Sequence, residues 1–353
     1  MISPIDILDP QWQSLYQAAH ADPTQSGWTP FHHPALINAV AHAHRLTPIA
    51  LGASGDARLN AAMCVLAPQP GTPWPISACP FNGPMIRPTH AHYRARRDKF
   101  TSQHLVALMQ ALIEQARWAH VRIPAGQFDP RALIAAGFRL TPSFTYEVPI
   151  ATSTHLREQL LPDRRRQVRQ AERSGVSVRE VTLESESTAR RWGPIIHAQH
   201  ATQSQRRGLE PDTDADGFTT LLMHGIDQPW LRLFVAQTQT GIPCAFQVTT
   251  VQIPVAANLL TGCDLKAPSG TNALLRTAVF SQLAEEGVCR FDLNGARPGD
   301  GGRFKASLGG RLVERWDIAP PIATDPPQRF PHRLRRLWWA LKRYKLAEST
   351  PET

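Results

Sequence analysis

At 353 residues the chain is long enough for two domains of ordinary size, and 42% apolar with 19% charged residues excludes a disordered chain. No run of about 18 apolar residues is present, which excludes a spanning helix, and Met1-Ile2-Ser3-Pro4-Ile5-Asp6 lacks the basic and apolar regions of a signal peptide, so a cytoplasmic protein is expected. The net charge of +9 is concentrated in 157–173 and 333–345, which points to an anionic partner (phosphate, nucleic acid or membrane headgroups) without choosing among them. Five cysteines, odd in number and without CxxC spacing, read as small core residues of a reducing compartment.

In chain order, Ile5-Asp6-Ile7-Leu8 reads as a first strand and Pro10 as the opening turn of a helix to about Ala21. Trp28 to Pro34 is a loop, followed by a short helix over 35–43 and apolar strands at 47–51 and 60–66. The prolines of 68–88, including Pro80-Phe81-Asn82-Gly83-Pro84, restrict that stretch to loop and edge strand, because proline donates nothing to a ladder. Leu105, Leu108, Met109, Leu112 and Ile113 share one face of a helix over 101–116. A strand at 120–123, a short helix at 129–136 ended by Gly137, and a strand through Phe144-Thr145-Tyr146-Glu147-Val148 complete the first half.

The second half opens with an Arg-rich helix over 156–174, closed by Gly175 and followed by a strand at 176–181. Helices at 184–203 and 216–224 flank the polar loop Gln205-Arg206-Arg207-Gly208. Strands at 230–237 and 243–251 form a hairpin around Thr240-Gly241, with another strand at 256–261. Asp325-Pro326-Pro327 sets apart a basic amphipathic helix over 327–347, where Leu334, Leu337, Trp338 and Leu341 make the apolar stripe. Phe330–Lys345 has the composition of an interfacial membrane helix; docking on the protein's own second domain is the alternative, and nucleic acid a third.

The order helix, strand, polar stretch, glycine, strand occurs twice, at 101–148 and again at 272–318. A separation of about 170 residues argues for a duplicated domain, not a solenoid of short repeats. The expected division is 1–152, 153–322 and the tail helix.

Chemistry is expected between Ser269 and Asp317. Ser269 or Thr271 is placed to cap a helix whose Leu274, Leu275, Ala278, Val279 and Leu283 share a face. A strand ending Phe291-Asp292-Leu293 leads into a Gly-rich polar loop, then Arg303-Phe304-Lys305 and a second strand. Asp292 at a strand end is placed to orient or deprotonate an amine, or else to accept backbone amides structurally. Asn294 and Arg303 are polar groups near that point. Arg206 and Arg207 suit an acceptor phosphate, and so do one or two of Arg164, Arg165, Arg166 and Arg169, which span more than one helix face; a solvated surface is the alternative for each. The histidine pairs among the fourteen histidines lack Cys or carboxylate at ligand spacing, so no metal is expected.

The second half resembles the FemAB peptidyltransferases and related acyltransferases built from tandem GNAT-like domains. The residues that carry the resemblance are the Arg-rich helix with Gly175-Val176, the Gln205–Gly208 loop, Phe291-Asp292-Leu293, and Phe304-Lys305 followed by Gly309-Gly310. Trp28 to Val40, Pro80–Pro84 and Gly137-Phe138 resemble that family's first half. The resemblance implies an α/β fold of mixed sheets in two tandem GNAT-like domains, and transfer of an acyl or aminoacyl group to an amine. It implies Lys305 at the site, where its charge meets phosphate or a developing oxyanion, with Phe304 beside it. The donor it implies is acyl-CoA or aminoacyl-tRNA, with no tightly bound cofactor, and the acceptor a peptidoglycan or other cell-envelope precursor. The usual Q/R-x-x-G-x-G/A phosphate loop is replaced by Lys266-Ala267-Pro268-Ser269-Gly270-Thr271-Asn272, where Gly270, Thr271 and Asn272 at the helix start are expected to hold a donor phosphate. The helical hairpin of some FemAB members is missing. Two alternatives stand: an acyl-CoA-dependent N-acetyltransferase of polysaccharide or lipid synthesis, and a non-catalytic GNAT-fold protein binding nucleic acid or membrane.

Overall fold

The computed structural model describes residues 2–55, 58–68, 83–89, 94–115, 121–124, 128–150, 153–206, 208–211, 213–296 and 299–321. The tail helix, Arg207, Arg297 and Pro80-Phe81-Asn82 lie outside the described residues.

The chain opens with β1 (Ile2–Pro4), α1 (Pro10–Ala21), α2 (Pro23–Ser26), a 3-10 turn (Pro30–His32) and α3 (Pro34–Ala43). Then come β2 (Leu46–Gly55), β3 (Arg58–Pro68), β4 (Met85–Ile86), α4 (Arg94–Gln115), β5 (Val121–Pro124), α5 (Pro130–Ala135) and β6 (Arg139–Pro149). Two helices follow, α6 (Ser153–Gln159) and α7 (Pro162–Arg173), where the sequence suggests one. Pro162 explains the break, since the residue before a proline is pushed out of helical conformation; Leu161 has ψ 149°. Next are β7 (Ser177–Val181), α8 (Glu186–Gln205), α9 (Ala215–Met223), β8 (Leu231–Gln237), β9 (Pro243–Gln252) and β10 (Val255–Cys263). The chain continues through α10 (Thr271–Glu285), β11 (Arg290–Asp292), α11 (Asp300–Ala306) and β12 (Arg311–Ala319). The expected first strand at 5–8 lies instead at Ile2–Pro4, and Asp9 caps α1 by accepting from the Gln11 amide at 2.7 Å.

The fold is mixed α/β, as the sequence leads one to expect, with two sheets. One has the order β1-β2-β3-β4, the other β5-β12-β6-β11-β10-β9-β8-β7. The larger sheet crosses the division expected near residue 152. β6 pairs antiparallel with β12 over 139–147 and, on its other edge, with β11 over 147–149. Only β10 and β11 run parallel within it.

β8, β9 and β10 are buried on both faces, so they read as near-continuous apolar runs. Phe246 and Val248 point into a core shared with Trp192 and Ile196 of α8, Phe218 of α9 and residues of α1 and α3. Ala245, Val251 and Phe291 point the other way, into a core with Leu275, Val279 and Phe280 of α10 and Val168 of α7. Helices α8 and α9 thus cover one face of the larger sheet, and α10 with α7 the other.

Candidate active site at a strand fork

β10 and β11 pair through three registered positions, Val255–Arg290, Ala256–Phe291 and Ala257–Asp292. β11 stops there, while β10 runs on to Cys263, so the sheet splits into a fork. Beyond Ala257 the backbone groups on the β11 side of β10 have no strand partner among the described residues, and an open edge accepts an extended ligand that carries amides. The register of β10 with β9 jumps between Asn258 and Leu260, leaving Leu259 as the extra residue of a bulge at the mouth of the fork. At the far end of β10, Gly262 lies against the α8 backbone; a Cβ there would fall 2.9 Å from the His200 amide nitrogen.

The loop after β11 is held from three directions. Asp292 is buried, and its Oδ1 accepts from the Thr145 hydroxyl at 2.8 Å and the Asn294 amide at 2.7 Å. Its Oδ2 pairs with the buried Arg315 guanidinium. Lys305 lies in α11, not at the end of an irregular loop: Gly299, with φ 102°, opens the helix two residues after Arg297. Its ammonium donates to the carbonyls of Leu293, Asn294 and Gly295 at 2.7, 2.8 and 2.7 Å. An ammonium has three donors, so the clamp uses all of them. Asn294 is the left-handed residue of the turn (φ 53°), and its amide and carbonyl are what the loop uses.

The head of α10 differs from the expected cradle. Neither Ser269 nor Thr271 caps it; the cap is Gly270, at φ 89°. Thr271 is buried, with its amide and hydroxyl both given to the Pro268 carbonyl, at 3.1 and 2.6 Å. A Cβ on Gly270 would fall 2.0 Å from the Gln167 carbonyl oxygen, so the backbone of α7 lies directly on this turn. Asn272, the next residue, has an Oδ1 that is buried without a hydrogen-bond partner among the described residues.

Helix α7 also reaches α11. The Arg164 guanidinium sits 4.7 Å above the Phe304 ring, donates to Ser307 Oγ at 2.8 Å and bonds Gln167 Oε1. Phe304 packs at the edge of the α10 core. Arg165 is half-buried, Arg169 is exposed, and neither guanidinium has a hydrogen-bond or ion-pair partner among the described residues. Arg206 is exposed near the end of β10, close enough to act on Cys263. That thiol is pushed up to about 11 by burial first, with Cys244 and Asp264 adding and Arg206 opposing. It is therefore no nucleophile at neutral pH. Arg303 is exposed on the outer side of α11.

The structure thus brings together Asp292, Asn294 and Lys305, with Phe304 beside Lys305 in α11, and places Arg165 and Arg169 on α7 and Arg206 at the end of α8. Sequence reasoning missed Thr145, Glu147 and Arg315. For Thr145 and Glu147 the signal was the alternation in Phe144-Thr145-Tyr146-Glu147-Val148, which puts both on the face opposite the core residues Tyr146 and Val148. Glu147 is registered with Asp292 across β6–β11 and lies 3.7 Å from Arg290 Nη1. Burial raises its carboxyl above the ordinary range; Asp292 adds to the rise, while Arg290, Arg315 and Arg311 oppose it.

Comparison with known proteins fits this geometry. The model of the family described as "Acetyltransferase (GNAT) domain" matches residues 162–305. FemX is similar in structure at a TM-score of 0.57 and 12% identity, over 80% of this chain and 91% of FemX. L-PGS from Bacillus licheniformis is similar at 0.54 and 12%, over 94% and 96%. The C-terminal domain of a putative lysylphosphatidylglycerol synthetase from Agrobacterium fabrum is similar at 0.50 and 14%, over 88% and 92%. No curated protein matches by sequence. The fork, its bulge and the helix beneath it lie inside the matched segment: residues 162–305 match the GNAT acetyltransferase domain, within a fold that FemX also has.

Proposed function

We propose that the chain transfers an acyl or aminoacyl group from an activated thioester or ester to an amine, with the donor carbonyl held at the fork between β10 and β11. The observation that carries this reading is the fork itself, three registered pairs and then an open β10 edge with a bulge at Leu259. Backbone amides on that edge are fixed donors, and fixed donors stabilise the oxyanion of a tetrahedral intermediate without reorganising. The amine nitrogen attacks the carbonyl, a C–N bond forms, and the C–S or C–O bond to the leaving group breaks.

In this reading Lys305 and Asp292 act through the loop 293–295, which they hold at the end of the fork, and the Lys305 charge contributes to the field there. Arg165, Arg169 and Arg206 are the cations available for donor or acceptor phosphates. The head of α10 bears on the donor: the Thr271 amide is given to Pro268 and the α7 backbone lies on Gly270, so an acyl-CoA pyrophosphate would rely on the helix amides that follow, on Asn272 and on the exposed arginines. The acceptor class that best suits the fold likeness to FemX and to the synthetase domain is an amine-bearing envelope precursor, of the cell wall or of a lipid. Such acceptors lie at the inner face of a membrane, and the basic segment 330–345 is suited to holding the protein there.

The test is donor consumption by the full chain. Labelled acetyl-CoA and, separately, labelled aminoacyl-tRNA are incubated with a nucleotide-linked muropeptide, an aminolipid and simple primary amines. Amide-linked label from one donor supports the reading and names the donor. Absence of transfer from both across all acceptors overturns it.

A further inference from the structure

Transfer to an amine requires an unprotonated nitrogen, yet at neutral pH a primary amine is an ammonium. A group at the fork must take that proton. Two carboxylates stand there, Glu147 and Asp292, registered partners at the pair where β11 ends. Asp292 is committed, with a hydroxyl and an amide on one oxygen and a guanidinium on the other. Glu147 is not. Its side chain is 16% exposed, no hydrogen bond reaches its carboxylate among the described residues, and its ion-pair contact is the 3.7 Å approach of Arg290, itself 46% exposed.

We propose that Glu147 is the general base of the amine acylation, contributed by β6 to a GNAT domain that does not contain it. The assignment rests on the transfer reading above. Glu147 lies outside the matched segment, on a strand from the first half of the chain, yet it stands directly opposite Asp292, the last residue of β11 at the fork. Its face of the sheet is the one away from α10: Tyr146 and Val148 pack toward the α10 core, while Thr145 and Glu147 turn to the opposite side with Asp292 and Arg290. A donor lying in the fork is therefore reached by an amine from that opposite side, where Glu147 stands. The charged groups that face it are Arg290 and Asp292 on β11 and Arg311 and Arg315 on β12. Burial makes it a stronger base than a surface glutamate, as a proton acceptor working near neutrality should be.

In the step, the Glu147 carboxylate takes one proton from the substrate ammonium. The freed lone pair forms the C–N bond at the donor carbonyl. That first proton leaves Glu147 for solvent; the carboxylate then takes the second proton from the nitrogen of the tetrahedral intermediate. The oxyanion collapses as the C–S or C–O bond breaks, and this second proton passes to the departing thiolate or alkoxide. The carboxylate is regenerated, and no oxidant or reductant is needed.

The experiment compares the full-length wild type with Glu147→Gln and Glu147→Asp, using the two labelled donors and the acceptor set above, from pH 6 to pH 10. Glu147→Gln should lower kcat/KM at pH 7 by about 100-fold or more. The deficit should shrink about tenfold per pH unit as solvent deprotonates the amine, which a merely structural loss would not do. Glu147→Asp should keep the wild-type pH limb at a reduced rate, and it decides the matter if the glutamine variant melts early. A Glu147→Gln rate within about threefold of wild type, or a deficit equal at every pH, overturns the base while leaving the transfer reading standing. A wild type that transfers nothing from either donor overturns the transfer reading, and the base with it.

Discussion

Whether Lys305 works through the loop or directly on the reactants can be decided by replacing it with methionine, which keeps the stem and removes the ammonium. Three carbonyls lose their donor. Leu293 is fully buried, so its carbonyl is left dry, at about 2 kcal/mol. Asn294 and Gly295 are half-exposed and regain water, leaving about 0.5 kcal/mol each. The sum is about 3 kcal/mol, or a Tm lower by roughly 6 °C at roughly 2 °C per kcal/mol for a chain of this length. The loss should be local first. Hydrogen exchange of the 293–296 amides should accelerate by about 100-fold, the factor that 3 kcal/mol commands, while the β8–β9 amides stay protected. Calorimetry and exchange mass spectrometry read both quantities. If Lys305→Met melts and exchanges like wild type but transfers no label, the clamp is not what the lysine is for, and its charge acts on the donor directly.

Asp292→Asn should destabilise by about 3 kcal/mol in urea unfolding, because it leaves the Arg315 guanidinium buried beside a neutral group; Asp292→Leu with Arg315→Met should recover part of that loss, and a double variant worse than the sum of the singles would contradict it. Gly270→Ala should cost about 3 kcal/mol, from a positive φ and a methyl driven into the Gln167 carbonyl, whereas Gly301→Ala, with nothing within 4 Å of its Cβ, should change stability by under about 0.5 kcal/mol; equal effects in urea unfolding would remove the α7–α10 contact as the reason. Burial lowers His32 to about 4 from an ordinary 6.5, against the opposing pull of its contacts with the Gly83 and Thr29 carbonyls. The unfolded chain therefore binds more protons between those values, so stability falls as pH drops from 6.5 to 4, by about 3 kcal/mol at full extent. His32→Gln should flatten that part of the pH–stability curve by one proton's slope, and an unchanged slope refutes the assignment.

Much of the fold is legible along the chain because most elements announce themselves locally. Pro10 and Asp9 set α1, the stripe from Leu274 to Leu283 sets α10, and the apolar runs of 231–237 and 243–252 set β8 and β9. Strand partners are not local. Nothing in Val121–Pro124 or Arg139–Pro149 says that β5 and β6 leave the first sheet for the second, since periodicity fixes which face a strand buries and not which edge it joins. The same gap hid the site. Lys305 stands out from its neighbours in sequence, but its three partners lie ten to twelve residues back, and the polar composition of 294–302 conceals a helix start at Gly299. Asp292 was readable as either a catalytic or a structural carboxylate, and only Thr145 and Arg315, 147 and 23 residues away, show what its oxygens do.

That long-range dependence bears on how the site is built. β11 has three residues, too few to hold a place in a sheet without a partner on each edge. β10 supplies one edge from inside the segment matched as an acetyltransferase domain; β6 supplies the other from outside it. β12, which carries Arg315, also follows that segment in the chain. The fork therefore exists only where four strands from three stretches of sequence meet. The segment 162–305 holds the fork, its bulge and Asp292, while Glu147 and Arg315, which face that carboxylate, come from before and after it. Separating the halves at residue 152 would leave β11 with one bare edge, Asp292 without Thr145, and the fork without Glu147.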